Sequence, residues 1–197
     1  MAKGFVSKLS TPAVIKSQEH YYGKAREVSE PTEDLLRARE IDFISARDSF
    51  YMSTVSEDGW PYVQQRGGPK GFLKVLSNNQ LAFADFTGNR QLLTVGNVSA
   101  NNRSCIFLMD YVNQSRLKIL ANVDVLDARD HPDLVQDLAE PIDQPAVERI
   151  IKLAVVSYDW NCPKYITRRF DEDQIFELVN PLKERITELE AKLQNEK

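Results

Sequence analysis

The sequence predicts a mainly β protein with flanking helices (α+β), built around a small antiparallel β-barrel. Five or six short segments rich in strand-forming residues follow one another across turns of only a few residues. One helical segment is inserted after the fourth of them, and further helical segments precede and follow the set. Strands in this order, joined by short turns, are typical of a small barrel.

Two helical segments are predicted before the barrel. Pro12 is suited to the first turn of a short helix, and residues 1–30 are expected to form an N-terminal arm that includes this helix. From Pro31 onward, acidic residues stand in a first turn and apolar residues recur at helical spacing. This second helix is expected to end near Ala46 and to open a barrel domain over residues 31–165.

The strands are predicted from their composition and from the turns between them. Ser56–Gly59 and Ser77–Asn79 have the composition of hairpin turns. The predicted strands span residues 49–55, 60–66, 72–76, 80–86, 104–111, 116–126 and 151–160. Short helices are expected at 130–138 and 146–150, between the sixth strand and the last.

The C-terminal residues 166–197 are expected to form a charged helix with one apolar stripe. Its members are spaced three or four residues apart: Ile175, Leu178, Leu182, Ile186, Leu189 and Leu193. Such a stripe could seal the barrel or pair with another subunit.

Composition narrows the classes of function. A chain of 197 residues with 42% hydrophobic and 27% charged residues is typical of one well-buried domain with appendages. The net charge of −4 argues against a general nucleic-acid binder. No apolar run is long enough to span a membrane, and the first residues lack the apolar core of a signal peptide. Cys105 and Cys162 are expected to be free thiols, so the expected location is the cytoplasm.

The stretch Phe83–Asn97 is the candidate functional motif. It begins as a strand, breaks at Gly88 and continues with helical character. Gly88 can adopt a positive φ and let a ligand approach the backbone closely, and the amides after it would open a helix N-terminus, which favours anions. Arg90 adds a fork of donors suited to phosphate. The alternative is a strand-to-helix turn in which Asn89 and Arg90 cap the helix and face solvent.

The order of motifs resembles that of the pyridoxamine 5′-phosphate oxidase-like family of FMN-binding split barrels. The resemblance covers roughly residues 35–127. It is carried by the stretches Arg47–Val55 and Asp58–Val63, by the Gln-Gln-Arg-Gly-Gly segment 64–68, by Gly88-Asn89-Arg90 and by Asn101-Asn102-Arg103. The flanking residues are similar to a bacterial subgroup described as oxidase-related. The resemblance implies a split antiparallel barrel, a homodimer, and FMN bound between the subunits.

The resemblance also implies a set of cofactor-binding residues. The end of the second strand contributes Gln65, Arg66 and Gly67, while the fourth strand and the turn contribute Asp85, Phe86, Thr87, Asn89, Arg90 and Gln91. Arg116 lies where a family glutamine meets the flavin ring, and a cation there would stabilise negative charge on the reduced ring. Trp160 resembles an aromatic residue that the partner subunit contributes to the flavin site, and Tyr165 is the other candidate for this residue.

The resemblance implies that the chain is a flavin-dependent oxidoreductase, but it does not identify the substrate or the catalytic residues. Residues 165–170 fit poorly to the arginine- and histidine-containing signature with which true pyridoxamine phosphate oxidases hold their substrate. A non-enzymatic flavin-binding or flavin-storage protein is the alternative, and a deazaflavin could replace FMN. Haem is disfavoured because His20 and His131 both lie outside the predicted strands, and no metal site is expected.

Overall fold

The computed structural model describes residues 3–28, 34–139, 146–160 and 163–195. The helices are α1 (Lys3–Leu9), α2 (Pro12–Tyr22), α3 (Ala38–Ser45), α4 (Leu93–Ala100), α5 (Pro132–Leu138) and α6 (Glu172–Asn195). The strands are β1 (Ser49–Val55), β2 (Pro61–Gly67), β3 (Lys74–Ser77), β4 (Gln80–Phe86), β5 (Arg103–Asp110), β6 (Ser115–Asp127) and β7 (Val147–Trp160). A short 3₁₀ turn, Ala128–Asp130, precedes α5.

The seven strands form one sheet that rolls up into the predicted split antiparallel barrel. Their order is β2-β1-β5-β6-β7-β4-β3, which puts β2 at one edge and β4 five strands away. Side chains of these two strands nevertheless meet, because Nη1 of Arg66 on β2 lies 2.7 Å from Oδ1 of Asp85 on β4. Phe50 on β1 also packs edge-to-face against Phe83 on β4, at 5.4 Å between ring centroids. These contacts across the sheet close the barrel.

The barrel core is formed by side chains that are buried at every second position along the strands. On β1, Phe50, Met52 and Thr54 are buried and their neighbours are not, which is the period of two that a sheet with one covered face requires. Phe72 stacks on Phe50 at 5.5 Å and meets Phe83 edge-to-face. The three rings form an aromatic centre for the core.

The helix predicted from Pro31 is shorter than expected. Residues 29–33 lie outside the described part of the chain, and the helix that follows, α3, begins only at Ala38. The segment before it is held to the barrel instead, since the Leu36 amide donates to the Asn78 carbonyl at 2.7 Å and the Leu36 side chain is buried. Glu40 then accepts a hydrogen bond from the backbone of Arg37 and starts the helix. These contacts keep the residues before Ala38 out of the helix, although their apolar residues are spaced as in a helix.

The short helix predicted at 146–150 is wrong. Residues 147–150 instead begin β7, which pairs with β4 from Phe86↔Val147 to Gln80↔Ala154 and with β6 from Asp127↔Arg149 to Leu117↔Trp160. A strand that pairs on both sides gains hydrogen bonds from two neighbours, and this outweighs the weak local preference of a few residues. The helix predicted at 130–138 is confirmed as the 3₁₀ turn and α5.

The chain forms two compact units. One consists of Met1–Met109 and Arg116–Cys162, and the other of Asp110–Ser115 and Pro163–Lys197. The domain boundaries expected after residues 30 and 165 stay predictions, the first of them lying outside the described residues. None of the helices in the described ranges is both long enough and apolar enough to cross a membrane.

Candidate functional site

Strand β2 presents a polar face to the inside of the rolled sheet. Tyr62, Gln64 and Arg66 are half-buried, whereas the residues between them, among them Val63 and Gln65, are exposed. Because successive side chains of a strand point to opposite faces, the first three share one side of β2. This side faces β4 and the residues that follow it.

A cavity of about 500 Å³ lies against this face. Its walls come from β2, the end of β4, the turn after β4, the first turn of α4 and the start of β7. The lining residues are Tyr62, Gln64, Arg66, Asp85, Phe86, Gly88, Asn89, Arg90, Gln91, Leu92, Leu93, Thr94, Val95, Glu148 and Arg149. The turn that the sequence singles out as the functional motif therefore lines a real cavity.

Asp85 is the hub of an ion-pair network in the cavity wall. Its Oδ1 lies 2.7 Å from Nη1 of Arg66, and its Oδ2 accepts a hydrogen bond from Nε of Arg149 at 2.8 Å. Nη1 of Arg149 also lies 2.8 Å from Oε2 of Glu148. The Asp85 side chain is only 9% exposed, and the two arginines offset the hydration that the buried carboxylate loses.

The network keeps Arg149 charged. Burial works against the cation, but the hydrogen bonds and charges of Asp85 and Glu148 together more than offset it and raise the pKa of Arg149 above its ordinary value. Arg66 is less completely satisfied, since its Nε is buried without a hydrogen-bond partner among the described residues. Most buried donors in native proteins are paired, so this atom marks a site that a ligand could complete.

The turn after β4 is held in an unusual backbone conformation, although not by the glycine. Gly88 does not adopt the positive φ that is open to a glycine, and Arg90 (φ 62°) and Leu92 (φ 53°) have positive φ instead. Asn89 supports the turn, because its Oδ1 accepts a hydrogen bond from the amide of Gln91 at 3.1 Å. Left-handed residues other than glycine each cost about 1–2 kcal/mol and occur most often at functional sites.

The start of α4 lines the cavity, and its first amides have no side-chain cap among the described residues. Leu92 is the N-cap residue and provides no side-chain hydrogen bond, so neither Asn89 nor Arg90 caps the helix. Arg90 is exposed and forms no hydrogen bond or ion pair with any other described residue. The alternative of a capped, solvent-facing turn is therefore correct in that Asn89 and Arg90 are both exposed, but neither of them caps the helix.

Two side-chain hydrogen bonds fix α4 in place. Oγ1 of Thr94 donates to Oε1 of Gln64 at 2.9 Å, which ties the first turn of the helix to β2. Nδ2 of Asn97 donates to Oγ1 of Thr54 at 2.9 Å, one turn later. The uncapped amides therefore keep a fixed position beside the cavity.

The charge of the cavity wall differs in sign from that of the chain. Arg66, Arg90 and Arg149 contribute three positive charges, and Asp85 and Glu148 contribute two negative ones. The local excess is +1, whereas the chain carries −4. Guanidinium groups beside free helix amides form a donor set suited to a phosphate group.

The cavity brings together about half of the residues predicted for the cofactor: Arg66, Asp85, Phe86, Asn89, Arg90 and Gln91. Gln65 points to the opposite face of β2, and Gly67 is not on the wall. Thr87 is not among the lining residues either, but its hydroxyl donates to Oε1 of the lining residue Glu148 at 3.1 Å.

Arg116 and Trp160 also lie off the cavity wall. Arg116 lies over the ring of Phe107, at 5.8 Å, with a buried Nε that has no partner in the described ranges. Nε1 of Trp160 donates to Oε1 of Glu40 at 2.6 Å, and the indole packs edge-to-face on Phe43. Tyr165, the other candidate for the aromatic residue from the partner subunit, is 90% exposed. The flavin contacts implied for Arg116 and Trp160 stay predictions.

Sequence reasoning missed Glu148 and Arg149. Both fall in the segment interpreted as a short helix, where charged residues suggest a solvated face. The alternation of Val147, Arg149, Ile151 and Leu153 at a period of two was the available signal for a strand with Arg149 on the same side as the apolar residues.

The described residues contain neither a metal-binding cluster nor an activated thiol. No three His, Cys, Asp or Glu side chains within them lie close enough together to hold a metal ion. Burial raises the pKa of the Cys105 thiol, with Lys118 opposing the shift, so this cysteine is a poor nucleophile.

Comparisons with known proteins agree with the geometry. The family model described as "Pyridoxamine 5′-phosphate oxidase" matches residues 36–156, which is more than half of the chain. A candidate pyridoxamine 5′-phosphate oxidase from Lactobacillus delbrueckii shares 18% sequence identity, with a TM-score of 0.50 over 64% of this chain and 93% of that one. The group A Streptococcus protein HupZ shares 10%, with a TM-score of 0.50 over 68% of this chain and 100% of that one.

A search of curated protein sequences gives no match to the chain. The two structures are below 25% identity, so they bear on the fold alone, and they agree with the rolled antiparallel sheet. Membership rests on the family model, whose span contains the whole turn after β4 and every residue of the Asp85 network. The chain belongs to the pyridoxamine 5′-phosphate oxidase-like family.

Proposed function

We propose that this protein binds FMN in the cavity beside Asp85 and acts as a flavin-dependent oxidoreductase. The observation that carries the proposal is the meeting of three guanidinium groups with the uncapped start of α4 in one cavity. Membership of the family and the resemblance of the turn to its FMN-binding motif support the choice of FMN. Riboflavin alone, which lacks the phosphate, would leave these donors unused.

Arg90 is the residue best placed to recognise the phosphate. It is exposed at the cavity and unpaired among the described residues, so it can bind an anion without first breaking an ion pair. Arg66 would contribute its unpartnered Nε while its Nη1 remains on Asp85. Arg149, held by Asp85 and Glu148, adds positive charge to the wall.

Bound FMN would supply hydride transfer, and the protein would supply position and electrostatics. The Gln64–Thr94 hydrogen bond would keep the helix start against the ligand. We also retain the proposals that the protein is a cytoplasmic homodimer and that Arg116 reaches a flavin ring at the subunit interface. Trp160 is engaged with Glu40 in its own chain, so any contact it makes with the flavin would need the opposite side of the indole.

Titration with FMN and with riboflavin tests the binding half of the proposal. FMN should bind with a visible spectral shift and more tightly than riboflavin. Arg90→Ala should weaken FMN binding by about 1.5–3 kcal/mol, the scale of hydrogen bonds to a charged group, and leave riboflavin binding unchanged. Arg103→Ala is the matched control, since Arg103 is an exposed arginine that does not line the cavity. Equal affinity of Arg90→Ala and the native protein for FMN would contradict the placement of the phosphate.

Anaerobic mixing of the FMN-loaded protein with NADH, NADPH and pyridoxine phosphates tests the catalytic half. Bleaching of the flavin by a nicotinamide would identify a reductase. Bleaching by pyridoxamine phosphate alone would show that the substrate of the name-giving enzyme is accepted despite the poor fit of residues 165–170. Tight binding with no reduction by any donor would favour a flavin-storage protein instead.

A further inference from the structure

The C-terminal helix α6 has an apolar stripe that nothing within its own unit covers. None of residues 172–194 is buried, and the stripe residues Ile175, Leu178, Leu182, Ile186, Leu189 and Leu193 are between 44% and 64% exposed. At 100° per residue, all six fall within an arc of about 80° on one side of the helix. So long a line of exposed branched apolar side chains marks an interaction surface.

The helix also depends on outside support for its stability. Pro181 lies inside it and removes one backbone donor from the hydrogen-bond ladder. Asp171 and Gln174 close the N-terminus by a reciprocal pair of hydrogen bonds, at 2.8 and 3.0 Å. Most of the stability of such a helix in a protein comes from the packing of its apolar side, which here requires a partner.

The length and spacing of the stripe fit another helix. The steps between its members are three or four residues, as in the seam of a two-stranded coiled coil. The helix has 24 residues, which is about three and a half heptads and about 36 Å. A second copy of the same helix would cover the whole stripe.

The charge distribution selects the orientation. Residues 171–180 carry four acidic and no basic side chains, namely Asp171, Glu172, Asp173 and Glu177. Residues 181–195 carry three of each sign: Lys183, Arg185 and Lys192 against Glu184, Glu188 and Glu190. A parallel pair would put the two acidic ends side by side, whereas an antiparallel pair puts each beside the end that contains Lys192.

We propose that α6 pairs with α6 of a second copy of this chain as an antiparallel two-helix coil. The stripe runs from residue 175 to residue 193, so the twofold axis lies near residue 184. Ile175 of one chain then packs against the end that contains Leu193 of the other, and Leu182 against Ile186. No residue of α6 is among the residues that line the cavity beside Asp85, and the proposal does not depend on FMN.

Disulfide trapping in the full-length chain tests the pairing and its direction. In the double variant Ile175→Cys/Leu193→Cys, mild oxidation should give peptides that link position 175 of one chain to position 193 of another, identified by mass spectrometry. The two positions lie about 27 Å apart along one helix, so the link cannot form within a chain. Each single variant should give no link between α6 helices. Links of 175 to 175 and 193 to 193 would overturn the antiparallel model, and the absence of any link would overturn the pairing.

A pair of charge insertions provides the second measurement. Leu182→Glu puts a carboxylate in the centre of the stripe, and Ala191→Glu puts the same charge on the opposite side of the helix. The first should raise the dissociation constant for self-association, measured by sedimentation equilibrium, by about tenfold or more, as for an apolar anchor lost from an interface. The second should leave it within about twofold, the scale of a surface change.

Equal association of both variants and the native chain would contradict the proposal. If Leu182→Glu instead lowered the melting temperature with no change in association, the stripe would be covered within the same chain, and the proposal would fall.

Discussion

Replacing Asp85 by asparagine should lower the stability of the fold while tightening the binding of an anion. The change removes the negative charge that holds Arg66 and Arg149, whose side chains are 16% and 19% exposed. Breaking a buried ion pair by removing one partner costs about 3–5 kcal/mol. Because both arginines retain some contact with water, we expect the lower end, about 3 kcal/mol.

The effect on binding has the opposite sign. The charge of the cavity wall rises from +1 to +2, and Arg66 and Arg149 are released from their competing carboxylate. We expect FMN to bind about tenfold more tightly, a gain of about 1.4 kcal/mol. Riboflavin, which carries no phosphate, should show little of this gain.

Urea unfolding followed by circular dichroism measures the first effect, and fluorescence titration with FMN the second. Asp124→Asn is the matched control, because Asp124 is exposed on β6 and should change stability by no more than about 0.5 kcal/mol. The reasoning is refuted if Asp85→Asn unfolds at the same urea concentration as the native protein. It is equally refuted if the variant binds FMN more weakly, since the network would then not be competing with the ligand.

Two further predictions concern the attachment of the segment before β1 to the barrel. Glu40→Ala should destabilise the fold by about 1–3 kcal/mol and redshift the fluorescence of Trp160, because Nε1 of Trp160 loses its buried acceptor. An unchanged emission spectrum would show that this bond does not form. Burial, with the charge and hydrogen bond of Glu40, raises the pKa of the Tyr158 phenol above 10.0, so the folded chain holds this proton more tightly than the unfolded one. The contribution of Tyr158 to the free energy of unfolding is therefore fully present below pH 10 and is lost as the pH rises further. In Tyr158→Phe, the free energy of unfolding should decrease less between pH 9 and pH 11 than it does in the native protein.

The sequence predicts the fold best where the signals are local. The turns Ser56–Gly59 and Ser77–Asn79 specify their hairpins, and β1, β4, β6 and α5 appear within a residue or two of their expected bounds. The errors lie where distant contacts decide. The segment around Leu36 is extended because Asn78 holds it, and residues 147–150 are a strand because β4 and β6 flank them.

The candidate site shows the same division. The motif predicts Arg90 as a phosphate-binding residue, and the family resemblance predicts both Arg66 and Arg90. Both residues line the cavity. Arg149 could not be placed by either argument, since its role arises only when β7 is laid against β4 in the register Asp85↔Arg149. Positive φ occurs at Arg90 and Leu92 and not at Gly88, the residue of the turn that adopts it most readily. Composition indicates that a turn is tight but not which of its residues adopts the left-handed conformation.

The position of β7 in the sheet sets the order in which the molecule can assemble. It is the last strand in the chain, yet it lies between β6 and β4. A chain under synthesis that has reached only residue 139 therefore holds two separate pieces of sheet, β2-β1-β5-β6 and β4-β3, each with an open edge. Such edges invite pairing with other chains, so the nascent protein is most prone to aggregate just before residues 147–160 emerge. Insertion of β7 covers the open edges of β6 and β4 in one step and completes the Asp85 network through Arg149.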